Sequence, residues 1–312
     1  MDTRLLRSFI NVADLGSISA AAERLHIAQP ALSRHILTLE RELRVQLFVR
    51  HGRGVNLTEH GEKLLPRALE ILRQIEAARE EAHRHETVLS GTITIGFPPT
   101  VGHVLASSLA DRFLKQYPSV NLHIVEAYSG YVLSWLQQGT LDIAILYEGG
   151  THHTISTSPL LVEQLMAIGR PEHFKDREQL SFKSLRDHAL ILPGPVHGLR
   201  MLLETLASSA GIDLNPIVET DSLRLQIDLV RRGHGITILP LVPVYKEVEA
   251  GELIAVSLAE PQAFRQLNLA LPADRPLSIA ALKMQEMIRS EVRTLVASGR
   301  WMSFLVDDDV DS

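Results

Sequence analysis

The segment Gln29-Pro30-Ala31-Leu32-Ser33-Arg34 carries the side chains whose chemistry is most specific. A glutamine amide pairs bidentately with adenine in the major groove, and an arginine fork pairs with guanine or with a phosphate. Ser33 adds a hydroxyl, and Pro30 suits the start of a helix, where its missing N–H would have no partner. Arg53, between Gly52 and Gly54, is placed to reach backbone or minor groove from a hairpin tip. A second group, Thr100, Ser129, Tyr147, His197 and Arg200, follows stretches that read as strands. Ligands of open α/β sheets sit at such places, where helix N-termini point their N–H groups inward. Cationic character from His197 and Arg200 suggests a small anionic ligand. Thr100 and Ser129 equally suit helix caps, and Arg200 equally suits pairing with an internal carboxylate.

The elements that position the first group are short. Leu5, Leu6, Phe9, Ile10 and Ala13 recur at helical spacing up to Gly16. Ser17 or Ser19 then caps a helix over Ala20–His26, whose alanine run lets another helix approach closely. After the connector Ile27-Ala28-Gln29, a third helix sets Leu32, Ile36, Leu39 and Leu43 on one face and Ser33, Arg34, Thr38 and Arg41 on the other. This order predicts a helix-turn-helix that enters the major groove with the start of its second helix. Leu47–Arg50 and Val55–Leu57 flank His51-Gly52-Arg53-Gly54 as a β-hairpin wing. From Thr58 to about Val88 the pattern is helical, with Leu64, Ala68, Ile71, Ile75, Ala78 and Ala82 on a heptad seam and Pro66 near its start. Such a seam asks for a partner, most simply a second copy, and a dimer would offer two half-sites two helices.

Charge is distributed to match. Residues 1–53 hold eight arginines against five acids, whereas residues 87–312 hold 18 basic against 25 acidic residues. A basic head on an acidic body fits double-stranded DNA held at one end. The chain has no cysteine, which removes disulfides and thiolate metal sites from consideration. No apolar run reaches membrane-spanning length and the N-terminus is amphipathic, so a soluble, cytoplasmic protein without a membrane partner is expected. No nucleophile elbow, phosphate loop or dehydrogenase fingerprint occurs, so neither an enzyme nor a cofactor is expected. His83-Arg84-His85-Glu86 and His152-His153 fall on a solvated helix and in a loop, and no functional metal is expected there. The tail Asp307-Asp308-Asp309-Val310-Asp311 reads as a disordered acidic end.

Beyond Ser90, strand patterns at Thr92–Gly96, Val120–Val125, Asp142–Leu146, Leu190–Pro193, Ile217–Glu219, Gly235–Leu239 and Leu267–Leu271 alternate with helical stretches. Those helices are expected at Leu105–Gln116, Val132–Gln138, Leu199–Ser209 and Ser222–Arg232. The alternation predicts parallel α/β sheets.

Phe9-Ile10-Asn11-Val12-Ala13, Ala20-Ala21-Ala22-Glu23-Arg24-Leu25-His26, Gln29-Pro30-Ala31-Leu32-Ser33-Arg34, Leu47-Phe48 and Leu57-Thr58-Glu59-His60-Gly61 resemble the LysR-type transcriptional regulators. Ser129-Gly130, Leu141-Asp142-Ile143-Ala144 and Gly233 with Gly235-Ile236 are similar to patterns of that family's effector domain. The resemblance implies a winged helix-turn-helix (residues 1–58), a linker helix (59–89), and a periplasmic-binding-protein-like effector domain (90–302) ahead of an acidic tail (303–312). It implies two subdomains, about 90–162 with 267–302 and about 163–266, joined by strands crossing near Leu160–Val162 and Phe264–Leu267. It further implies effector contacts at Thr100 and Ser129, a homodimer or homotetramer that bends DNA, and altered contact with RNA polymerase when effector binds. Two other readings remain open on the residues alone: regulation by occupancy without an effector, and a small-molecule binding protein or enzyme with a vestigial DNA head.

Overall fold

The computed structural model describes residues 2–52, 54–82, 89–147, 153–174, 178–195 and 197–306. The chain divides into two compact units, Met1–Thr87 with Gln138–Thr140, and Val88–Gln137 with Leu141–Ser312.

In the first unit, α1 (Thr3–Leu15) starts at Asp2, whose carboxylate accepts the Arg4 N–H, and stops at Gly16 in the left-handed conformation. α2 (Ile18–Arg24) is capped by Ser17, whose hydroxyl accepts the Ala20 N–H at 3.3 Å. α3 (Gln29–Leu43) carries Pro30 in its first turn. Leu32, Ile36 and Leu39 enter a core with Leu6, Phe9, Val12 and the buried alanines Ala21 and Ala22. A hydrogen bond of 2.8 Å between Ser8 Oγ and His35 Nδ1 ties α1 to α3.

β1 (Phe48–His51) and β2 (Gly54–Leu57) pair antiparallel as the wing. The wing is anchored where the Val55 N–H donates to the Gly16 carbonyl at 2.9 Å. Gly54 sits at φ +150°, and a Cβ there would lie 2.3 Å from that same carbonyl oxygen. Gly54→Ala therefore has to displace backbone, and it is expected to cost the first unit about 1–3 kcal/mol. A lower midpoint for that unit's thermal unfolding checks this.

α4 (Glu59–Ala82) starts from Thr58, whose hydroxyl accepts the Gly61 N–H at 3.1 Å and donates to the Gln46 carbonyl at 2.7 Å. Leu64, Ala68 and Ile71 pack against the helix-turn-helix core, with Ala68 fully buried. The first half of the expected seam is thus satisfied within the chain, because those turns cover α1. Ile75 is half-buried. The side chains of Ala78 and Ala82, and the helix end expected near Val88, lie outside the described residues.

The second unit opens with β3 (Gly91–Phe97), α5 (Pro99–Gln116), β4 (Val120–Glu126), α6 (Ser129–Gln138) and β5 (Ile143–Tyr147), and these strands are mutually parallel neighbours of β3. β6 (Ile155–Gln164) leads into a second subdomain. It holds β7 (Met166–Gly169), β8 (Gln179–Ser181), β9 (Leu190–Leu192), α7 (Gly198–Ala210), β10 (Pro216–Glu219), α8 (Leu223–Arg231), β11 (Thr237–Leu239), α9 (Tyr245–Glu249) and β12 (Ile254–Ala259). β13 (Phe264–Pro272), α10 (Ile279–Ala297) and β14 (Phe304–Leu305) return to the first. One sheet runs β14-β6-β13-β5-β3-β4 and the other β11-β7-β12-β8, with β9 and β10 a separate parallel pair.

The expectation of parallel sheets is corrected here. β13 is antiparallel to both β5 and β6, and β7 is antiparallel to β11 and β12. One crossing strand leaves the first subdomain and the other comes back, so they run in opposite directions. Past the pairings of Phe304 with Val162 and of Leu267 with Tyr147, residues 163–164 of β6 and 264–265 of β13 pair only with each other among the described residues, and this two-stranded stretch joins the first sheet to β7 and β12. Phe304 and Leu305, within the stretch expected to be tail, pair with Val162 and Leu161. Asp307–Asp311 lies outside the described residues.

Candidate functional site

Two places bring the candidate side chains together. On α3, Gln29, Pro30 and Arg34 are exposed and Ser33 is half-buried. The exposed stripe continues through Leu37 and Arg41, so Pro30, Arg34, Leu37 and Arg41 share one face at spacings of four, three and four. Leu37 was not singled out by residue type, yet an exposed aliphatic on this face suits a thymine methyl. Arg53, His83-Arg84-His85-Glu86 and His152 lie outside the described residues.

The second place is in the C-terminal unit. Tyr147 ends β5 and Thr100 sits in the first turn of α5, with Thr100 Oγ1 and Tyr147 Oη 2.8 Å apart. Arg265 of β13 donates from Nη2 to Thr100 Oγ1 at 2.9 Å, and its guanidinium lies 4.2 Å over the Tyr147 ring. Directly opposite Arg265 in the β6–β13 register is Glu163. Its Oε1 accepts from Arg265 Nε, and its Oε2 accepts from Trp301 Nε1 at 3.0 Å. The side chains of Arg265 and Glu163 are each 2% exposed, so this is a fully buried ion pair. Burial pushes the Tyr147 hydroxyl's pKa up, and the neighbouring Arg265 charge and the Thr100 hydrogen bond pull it partly back.

Ser129 begins α6 and Gly198 begins α7, close together beside Tyr147. A Cβ at Gly198 would stand 3.4 Å from the Tyr147 ring and 3.7 Å from Ser129 Cβ. Ser129, Tyr147 and Arg265 line a cavity of about 380 Å³ whose remaining wall is mainly apolar, with Thr157, Thr205, Gln266 and Asn268 as its polar members. Thr100, Tyr147, His197 and Asp221 line a smaller neighbouring space of about 20 Å³.

The two cations expected from the sequence are otherwise engaged. Arg200 donates from Nε to Glu204 at 2.6 Å and from Nη1 to Glu219 at 2.8 Å and to the Pro193 carbonyl at 3.2 Å. It fastens α7 to β10, so the carboxylate-paired alternative is the arrangement found. His197 caps α7, its Nδ1 accepting the Leu199 N–H at 3.0 Å, and its ring meets Tyr128 edge-on at 4.3 Å. Burial, reinforced by Arg265, lowers its pKa to about 4 against an opposing pull from Asp221. His197 is therefore neutral at pH 7. Arg265, Glu163 and Trp301 were not anticipated. Their signal was a lone charge in each of two apolar stretches, Leu160-Leu161-Val162-Glu163 and Phe264-Arg265-Gln266-Leu267.

The His197 environment has a measurable consequence. An unfolded histidine binds a proton below about pH 6.5, while the folded one resists until about 4. Stability is therefore expected to fall as pH drops through that window, by about 3 kcal/mol at its lower end. His197→Asn, which keeps a capping acceptor, should flatten this part of the profile of unfolding free energy against pH.

Comparison with known proteins agrees with this anatomy. Residues 3–62 match the bacterial regulatory helix-turn-helix protein model of the lysR family, and residues 86–293 match the LysR substrate binding domain. The chain is 31% identical to the HTH-type transcriptional regulator BbuR of Bordetella bronchiseptica, over 96% of this chain and 93% of that protein. It is 28% identical to the hydrogen peroxide-inducible genes activator of Pectobacterium carotovorum, over 94% and 97%. Among solved structures, a full-length OxyR of Pseudomonas aeruginosa with a cysteine replaced by aspartate superposes with a TM-score of 0.74 at 26% identity, over 94% and 95% of the two chains. The chain belongs to the LysR family of DNA-binding transcriptional regulators, with an effector-binding domain following the helix-turn-helix. Among the described residues, no helix is long and apolar enough to cross a membrane.

Proposed function

We propose that this regulator reads duplex DNA with Gln29, Pro30, Ser33 and Arg34 of α3, helped by Arg53 on the wing. A small molecule held at Thr100, Ser129 and Tyr147, together with Arg265, sets how that DNA is bound. One observation carries the second half of this reading. Arg265 Nη1 and Ser129 Oγ are buried without a hydrogen-bond partner among the described residues, and the two residues that carry them are among those lining the larger cavity. Buried polar groups are almost always partnered, so donors left open around a cavity mark where a ligand supplies the partner. His197 borders the smaller space as a helix cap, and Arg200 supports α7.

A homodimer or homotetramer in the cytoplasm would place several copies of α3 on successive half-sites and present a surface to RNA polymerase. Effector control then requires two conformations that bind the molecule unequally, with a coupling of about 1–3 kcal/mol. Some relatives are named for hydrogen peroxide. With no cysteine in this chain, thiol oxidation is not its signal. The test is DNase footprinting of the purified protein on DNA upstream of its own gene, with and without pooled metabolites. A pool that alters the wild-type footprint and leaves the Thr100→Val footprint unaltered supports the reading. A full response in Thr100→Val would place sensing elsewhere.

A further inference from the structure

We propose that the cavity beside Arg265 takes an uncharged molecule with a mainly apolar body, which presents a hydrogen-bond acceptor to Arg265 Nη1 and Ser129 Oγ. This rests on the reading of that cleft as the effector site and names the class of effector. The demand for an acceptor comes from the two open donors, an N–H of a guanidinium and a hydroxyl. The exclusion of an anion comes from charge. Among the described residues lining the cavity, Arg265 alone carries a charge, and Glu163 already compensates it from the adjacent strand. Arg200 is matched by Glu204 and Glu219. His197 accepts a hydrogen bond at Nδ1, as only an unprotonated ring does. A carboxylate entering this space would bring a second negative charge next to Glu163 and find no cation left among the described lining residues to balance it. Removing an anion from water without such a balance is the dominant cost. A carbonyl or amide oxygen avoids that cost and still receives a charge-assisted bond from Nη1.

The body follows from the wall. Leu133, Leu146, Met201, Leu202 and Phe264 make most of the wall apolar, while Thr157, Thr205, Gln266 and Asn268 add polar groups to it, so most of the molecule's body meets aliphatic and aromatic carbon. A dry cavity of about 150 Å³ holds a benzene ring. At about 380 Å³, this one has room for a ring with a polar substituent.

Benzamide and benzoate separate the alternatives, because they share size and shape and differ in charge. Calorimetric titration of the full-length protein is expected to show benzamide binding at least about tenfold more tightly than benzoate. Ser129→Ala removes a hydroxyl that has no hydrogen-bond partner among the described residues, so it should weaken benzamide several-fold without lowering the thermal midpoint. Met201→Lys adds a cation to the cavity wall from an exposed position of α7 and should move the preference toward benzoate. Benzoate binding as tightly as benzamide to the wild type would overturn the inference and leave the effector cleft intact. So would failure of both probes to bind at millimolar concentration. Benzamide binding that depends on Ser129 but never changes the DNA footprint would uphold the ligand class and contradict the effector reading.

Discussion

Replacing Glu163 by alanine is expected to destabilise the C-terminal unit by about 3–5 kcal/mol, the usual cost of leaving one partner of a buried ion pair alone. The loss is compound. Arg265 keeps its charge with both side chains at 2% exposure, and Trp301 Nε1 loses its acceptor at 3.0 Å. Denaturant unfolding followed by tryptophan emission in a Trp135→Phe background, where Trp301 is the remaining tryptophan, measures the change in place. The double replacement Glu163→Met with Arg265→Met removes both charges and should recover most of the stability. It should not recover ligand binding, because the Nη1 donor is gone. A Glu163→Ala protein as stable as wild type would mean that water reaches the pair and that the cavity's charge balance is different from the one described.

Gln29→Ala combined with Arg34→Ala is expected to weaken binding to the specific site by about two orders of magnitude. Each bidentate base contact accounts for about 1–3 kcal/mol, and every 1.4 kcal/mol is tenfold. Both side chains are exposed on α3, so the fold of the first unit should survive. Competition titrations at fixed salt, against specific and random DNA, read the effect. A base-reading pair loses affinity for the specific site alone. A pair that touches only phosphate loses affinity for both and lowers the salt slope by about one per contact. Unchanged affinity for the specific site would move the reading surface off the start of α3.

The helix-turn-helix was legible because its signals are local. Gly16 stops α1, Ser17 caps α2, and the Leu32-Ile36-Leu39 stripe fixes which face of α3 is buried. The strand-to-helix joints holding Thr100, Ser129 and Tyr147 were legible for the same reason. Residues at those joints do converge, since parallel strands end at one edge of their sheet. What local patterns could not carry were pairings across long sequence separations. Glu163 meets Arg265 from a distance of about a hundred residues, and only the antiparallel register of β6 and β13 sets them opposite. Without that register, His197 and Arg200 looked like the cations of the cleft. Short strands such as β8 carry too few residues to show alternation. Periodicity on α4 marks an apolar stripe but does not say which surface covers it, and its first members, Leu64, Ala68 and Ile71, lie on the chain's own core.

The claim that one molecule in the cleft and one stretch of DNA on α3 act on the same equilibrium is tested most directly by reciprocity. A compound selected by its effect on the footprint is titrated calorimetrically into the full-length protein, free and saturated with its DNA. Coupling of the expected size requires its affinity to differ between the two titrations by about 5–150-fold, matched by the same factor in DNA affinity when the compound is present. Equal compound affinities with and without DNA would show that the cleft and the recognition helix are not coupled.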